Sequence, residues 1–241
     1  MYGMYGYGYG YGLDPTIILV LIGVALSLWA QGRVNSTFSR YSRVRSMTGM
    51  TGAEAARRLL NAQGIYDVTV QQIVGELTDH YDPRTKTVNL SQSVYGATSV
   101  AAIGVAAHEC GHAMQDNEGY APLRFRSALV PVANFGSSLS WPLILLGLVF
   151  GGLGSPLVEI GILMFSLAVL FQLVTLPVEY NASARAVRLL DAQGILAGEE
   201  VNGTRKVLNA AALTYVAAAA TSILQLLRLI ILFGGRNRRD R

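Results

Sequence analysis

The sequence is short of charge, cysteine and histidine, and each shortage excludes something. Only 14% of its 241 residues are charged, against roughly 25% in an ordinary soluble domain. With 51% of the chain hydrophobic, intrinsic disorder is excluded, because disordered chains are apolar-poor and charge-rich. A single cysteine, Cys110, cannot close a bridge within the chain, so a disulfide scaffold is excluded. The net charge of +4 is spread without a long basic block, which argues against a nucleic-acid partner. The first 14 residues lack Lys and Arg, so the first apolar run has no basic flank of the signal-peptide kind. What remains is a chain of one or two domains that is either embedded in a membrane or built on an outsized core.

The scarce charges are also unevenly placed. Residues 15–32 have none, residues 127–178 carry only Glu159, and residues 207–235 carry only Arg228. A bilayer span needs about 20 mostly apolar residues. The first stretch makes one span, with Trp29 at interface depth. The second makes a helical hairpin, about 128–150 and 157–177, divided by the turn GGLGSP. The third, Ala-rich then Leu/Ile-rich, is a fourth hydrophobic helix whose Ala half suits close helix packing. Four parts lie outside these stretches: a Gly/Tyr-rich tail (1–14), a catalytic-sized segment (33–126), a helix (179–206) and a basic tail (236–241). Lys and Arg flank the spans at 33–45, 124–126 and 185–206 and are missing from the hairpin turn. That asymmetry puts those segments on the cytoplasmic side of a multi-pass inner-membrane protein. The basic tail conflicts with it if residues 207–235 cross fully, so a re-entrant or interfacial last helix stays open.

The first twelve residues, MYGMYGYGYGYG, read as a tail whose rings rest at the membrane interface. Two segments, RRLLNAQGI and VRLLDAQGI, read as helices stopped by Gly64 and Gly194, one helix-ending solution used twice.

The chemistry concentrates in HECGH, residues 108–112. Two of the three histidines of the chain stand here, at the end of a small-sided apolar helix that Thr98 or Ser99 can cap. His108 and His112, at i and i+4, project side by side and supply two of zinc's tetrahedral positions. Glu109 is placed to take a proton from the water that attacks a carbonyl and to pass it to the leaving amine. One zinc ion per chain is the implied cofactor. Cys110 reads as a small buried side chain. Catalytic zinc usually has three protein ligands. The candidates for the third are Glu179, Asp191, Glu118, Asp116 and His80. Glu179 is placed best, because a carboxylate at the end of an apolar helix is costly unless paired or ligating. His80, Tyr215, Arg185 and Asn181 are the candidates for stabilising an oxyanion or supporting the ligands. The segment ELTDHYDPRTKTVNLSQSVY reads as a hairpin turned at DPRT, with Lys86–Leu90 as an edge strand able to hold an extended peptide.

HECGH, LTDHYDPRTKTVNLS, and LPVEYNASARA followed by VLNAAALTYVAAA resemble the bacterial membrane zinc metallopeptidases of the YugP type, and more distantly the HtpX/Ste24 membrane proteases. The resemblance runs from about Asp14 to Phe233. It implies that His108, His112 and Glu179 hold zinc and that Glu109 is the general base. Where the HtpX/Ste24 pattern has an Asp four residues after the Glu, this chain has Ser183. The expected fold is a mainly α membrane protein, with a zincin-like α+β unit joined to about four hydrophobic helices. The expected function is zinc-dependent endoproteolysis of membrane or membrane-near proteins at the cytoplasmic face, with a peptide or protein substrate and the lipid bilayer as partners. Two alternatives stand beside it. One is a non-enzymatic scaffold or quality-control adaptor with a retained metal site. The other is a site-2-type intramembrane protease with Asp191 as third ligand.

Overall fold

The structure, a computed structural model, describes residues 14–152 and 155–234. All of the Gly/Tyr tail except Asp14, and the basic tail, lie outside the described residues. The elements in chain order are α1 (Ile17–Ser42), α2 (Gly52–Ala62), β1 (Thr69–Ile73), β2 (His80–Asp82), β3 (Thr87–Ser91), α3 (Gln92–Tyr95), α4 (Val100–Asn117), α5 (Ala121–Gly151), α6 (Pro156–Ala192) and α7 (Glu199–Phe233).

Among the described residues, α1, α5, α6 and α7 are long and apolar enough to cross a bilayer. Their outer faces expose large apolar side chains, including Leu28, Trp29, Phe135, Leu145 and Phe150. In water such a surface would be a liability; against lipid it is the matching solvent. The protein is thus a mainly α membrane protein with a small β element. Every one of these helices runs past the apolar stretch read from the sequence. α1 continues ten residues beyond Gly32, and α6 fifteen beyond Pro177. Apolar composition marks where a helix is apolar, not where its hydrogen bonding ends.

The α5–α6 hairpin closes at small residues. A Cβ on Gly161 would come within 2.9 Å of the Ser140 carbonyl oxygen, so only glycine permits this approach. α1 and α7 lie antiparallel. Thr221 packs on Gly23 and donates to its carbonyl at 3.1 Å. Nearer the other end, Arg228 donates to Thr16 Oγ1 at 3.2 Å and pairs with Asp14 at 3.5 Å. α7 is therefore one unbroken helix whose last turns lie beside the first turns of α1. The Ala-rich half is buried at Ala210, Ala212, Ala217 and Ala219, as its composition suggests.

At the opposite end of the bundle sits a small packed unit. α4 is buried nearly throughout, among α2, β3 and the polar ends of α6 and α7. Local chemistry starts its helices. Thr51 and Glu54 form a reciprocal capping box on α2, and Ser99 caps α4 by accepting from Ala102 N at 3.2 Å. The two similar segments end alike. Gly64 and Gly194 adopt φ +70° and +60°, and Ile65 and Ile195 each bond back to the carbonyl five residues earlier, at 3.0 Å. This is the Schellman ending, which drops each Ile into the core.

The sheet has the order β1-β3-β2, with β1 parallel and β2 antiparallel to β3. The DPRT turn forms as expected: Asp82 accepts from Arg84 N and from Thr85 Oγ1. The strand after it is not an edge, however. β3 is central and wholly buried, because β1 pairs on its far side. β1 is mostly exposed and lacks a clean alternation, so its partner, not its own pattern, makes it a strand.

Candidate metal centre

His108 and His112 rise from α4 with ring centroids 4.8 Å apart and planes crossed at 82°. Glu179 projects at them from α6, two residues past Pro177. Its Oε2 lies 3.2 Å from His108 Nε2 and 3.5 Å from His112 Nε2. Ligand atoms on tetrahedral zinc, with bonds near 2.0–2.1 Å, stand roughly 3.3 Å apart. The two distances from Glu179 thus match the edges of a zinc tetrahedron, and all three ligand atoms lie within 4.8 Å of one another. Among the described residues they form the one cluster of three or more metal-binding side chains.

The hydrogen bonds around the triad fix which ring nitrogens are free. Arg185 has only donors, so its 2.7 Å bond makes Asn181 Oδ1 an acceptor. Gln115 Nε2 then donates to that oxygen and to Val178 O, both at 2.9 Å. Gln115 Oε1 is left to accept from His112 Nδ1 at 3.0 Å. His112 therefore carries its proton on Nδ1 and turns a bare Nε2 lone pair toward the Glu179 carboxylate. Two acceptors facing each other in a buried site call for a cation between them, so the donor set fits zinc. Burial disfavours a charged His112, but the Glu179 and Glu109 carboxylates outweigh this and raise its pKa, so without a metal a proton on Nε2 is the cation that competes for the same place. His108 is steadied by Ser183, whose Oγ lies 3.1 Å from Nδ1. Serine at this place in the Glu179 run thus supplies an oxygen to the histidine, although it carries no charge.

Glu109 is 93% buried, and its carboxylate lines a cavity of about 280 Å³ beside His108, Glu179 and Tyr215. Gln31 and Val34 of α1 close one wall, and Leu77 and Asp79, just before β2, another. Burial raises the Asp79 pKa, even though Ser91 N and Oγ donate to the carboxylate. Arg126 sits 3.7 Å from Glu179 Oε1, and its buried Nε has no hydrogen-bond partner among the described residues. Arg126, Asp79 and Gln115 were not singled out from the sequence. Only Gln115 had a local signal, its position one turn after His112.

The other candidates lie elsewhere. His80 is exposed on β2, with ring nitrogens on Thr78 O and an Asn89 amide. It caps its strand and stands apart from the cavity. Asp116 binds Tyr81 and Lys86, and Glu118 binds Arg185. Asp191 is exposed beside Arg188 and Arg205. Arg185 and Asn181 support His112 through Gln115 rather than facing the cavity. Cys110 points away, with its thiol on Ala56 O at 3.6 Å, and burial pushes its pKa well up.

Convergence of α4 and α6 depends on Gly111. A Cβ there would lie 2.6 Å from Ala182 O and 3.0 Å from its carbonyl carbon, both backbone atoms. Ala in place of a helical Gly gains about 1 kcal/mol of propensity. Overpacking typically costs about 1–3 kcal/mol, so the clash wins. Gly111→Ala should therefore lower the melting temperature and loosen zinc binding together. A variant that melts like the wild type with full zinc would show that the helices do not need this contact.

Residues 16–234 match the protein family described as "Putative neutral zinc metallopeptidase". The chain is 49% identical over 217 residues to the "Putative membrane protease YugP" of Bacillus subtilis (strain 168), which covers 90% of this chain and 96% of that protein. No solved structure matches. With a match over nearly the whole chain, and the cluster of His108, His112 and Glu179 within it, the chain belongs to the family so described.

Proposed function

We propose that the chain is an integral-membrane zinc-dependent endopeptidase that cleaves membrane or membrane-near proteins at the cytoplasmic face. The observation that carries this reading is the meeting of His108, His112 and Glu179 beside the cavity-lining carboxylate of Glu109. Zinc bound by the triad would polarise a scissile carbonyl and acidify a water molecule. Glu109 takes the proton of the attacking water and delivers it to the departing amine nitrogen. Tyr215 O–H, across the cavity, is the donor for the carbonyl oxygen as it gains charge. The outer edge of β2, which follows Leu77 and Asp79 out of the cavity, offers main-chain hydrogen bonds to an extended substrate.

The position of the cavity supports a membrane-near substrate. Gln31 and Glu179 stand where an apolar stretch ends, and Tyr215 lies about two turns inside the third. The Lys and Arg that flank the spans support a cytoplasmic site. Labelling of a cysteine placed at Arg84 by a membrane-impermeant reagent outside intact cells would contradict that side.

The test uses the purified full chain in lipid nanodiscs and a quenched-fluorescence peptide library. A zinc chelator should abolish cleavage, its non-chelating isomer should leave it intact, and one equivalent of zinc should restore it. Zinc-loaded protein that cleaves nothing would favour the adaptor reading.

A further inference from the structure

A second, larger cavity opens between α1, α6 and α7, of about 660 Å³. It is strongly basic. Arg33 and Arg40 line it from α1 and Lys206 from α7, with no carboxylate in its wall. Among the described residues these three cations form no ion pair; Arg40 lies over the ring of Tyr41, 5.6 Å from its centroid. Like charges gathered around one concavity repel unless an anion joins them. A hydroxyl and an amide add neutral donors: Thr37 stands between the two arginines, and Asn209 lies one turn beyond Lys206, while Ser36 already donates to Arg33 O.

The depth of the cavity says which anion. The apolar stretch of α1 ends at Gly32, one residue before Arg33, and that of α7 begins directly after Lys206. Gly203 lies against the ring of Tyr41 and Gly23 against Thr221, which sets the antiparallel register. Arg40 and Lys206 are thus at the outer rim, while Ala210 and Leu213 lead down into the apolar zone. A ligand that fits has a phosphate at the top and an apolar body below. We infer that this cavity is a binding site for an anionic phospholipid, which seats its headgroup phosphate among Arg33, Arg40 and Lys206 and joins the three helices. Tyr180, exposed on the adjoining turn of α6, suits the headgroup level. The residue before it is Glu179, so a lipid held here would brace the helix turn that carries the third metal-facing side chain. The inference rests on the cavity and does not require peptidase activity.

The test titrates the full chain, in neutral detergent, with short-chain phosphatidylglycerol, short-chain phosphatidylcholine and inorganic phosphate. Thermal melting and lipid retention in native mass spectrometry are the readouts. Phosphatidylglycerol should raise the melting temperature saturably, and the other two should not. Arg33→Gln/Arg40→Gln/Lys206→Gln should weaken phosphatidylglycerol binding roughly 100-fold, about fivefold per cation. The control Arg43→Gln/Arg84→Gln/Arg188→Gln removes as much charge elsewhere and should retain affinity. If the triple variant does not fold, Arg33→Gln and Lys206→Gln singly should each show the fivefold loss. Equal loss in the control, or an equal response to phosphatidylcholine, overturns the site. An equal response to inorganic phosphate overturns the lipid and leaves a soluble oxyanion as ligand.

Discussion

Glu109→Gln is expected to lower peptide cleavage by about 10³- to 10⁴-fold while zinc stays at one per chain. A positioned general acid–base contributes about 10² to 10⁴, and this site offers no evident substitute. Asp79, the other carboxylate on the cavity wall that is not a candidate ligand, is held by Ser91 N and Oγ. Glutamine matches glutamate in size, so the buried position beside His108 is filled and the triad undisturbed. The readouts are zinc content, melting temperature and the cleavage rate of the same protein sample. Tyr215→Phe is the companion variant. Loss of one oxyanion donor should lower kcat by about 10² to 10³ with KM and zinc unchanged. If Glu109→Gln cleaves at the wild-type rate, the proton moves elsewhere and the proposed chemistry is wrong. If Tyr215→Phe raises KM alone, Tyr215 binds substrate in its ground state and does not serve the transition state.

Why HECGH was legible while its support was not follows from range. His108, Glu109 and His112 share one helix, so spacing alone puts them on neighbouring faces. Glu179 is 71 residues further along, across a membrane hairpin. Its signal was energetic: a carboxylate at the end of an apolar helix needs a partner. Gln115 carries neither charge nor periodicity, and its part is visible only once Val178 O and Asn181 are seen around it. Arg126 looked like one more topology-setting charge; α5 turns it toward Glu179 instead. In the sheet, the DPRT turn was legible because Asp82 bonds locally. The central place of β3 was not, because β1 reaches it through a nonlocal parallel pairing. Hydropathy likewise located the four long apolar helices but understated their length. Val34 of α1 and Glu179 and Ser183 of α6 lie beyond Gly32 and Pro177, so part of the site is built on helix that the apolar stretches do not mark.

Glu179→Ala is expected to strip zinc from the folded protein, whereas Asp191→Ala keeps it. Losing a partner that only orients a metal ligand costs about 10- to 100-fold in affinity, so losing a ligand should cost at least roughly 100-fold. Ser183→Ala, which removes the oxygen beside His108 Nδ1, supplies the smaller effect for comparison. The variant must be judged on folded protein. Removing the carboxylate leaves Arg126 half-buried without its ion pair, and that strains the fold independently of metal. Glu179→Gln addresses this. It keeps the volume and an oxygen for Arg126, but an amide is a poor zinc ligand, so zinc should fall while melting in the metal-free state changes little. Asp191 is exposed, beside Arg188 and Arg205, and lies about 18 Å further along α6 than Glu179. If Asp191→Ala loses zinc and Glu179→Ala does not, the ligand set is that of the site-2 type. The meeting of His108, His112 and Glu179 would then come from packing alone. If Glu179→Ala and Glu179→Gln both lose zinc from folded protein, that meeting is a working metal centre.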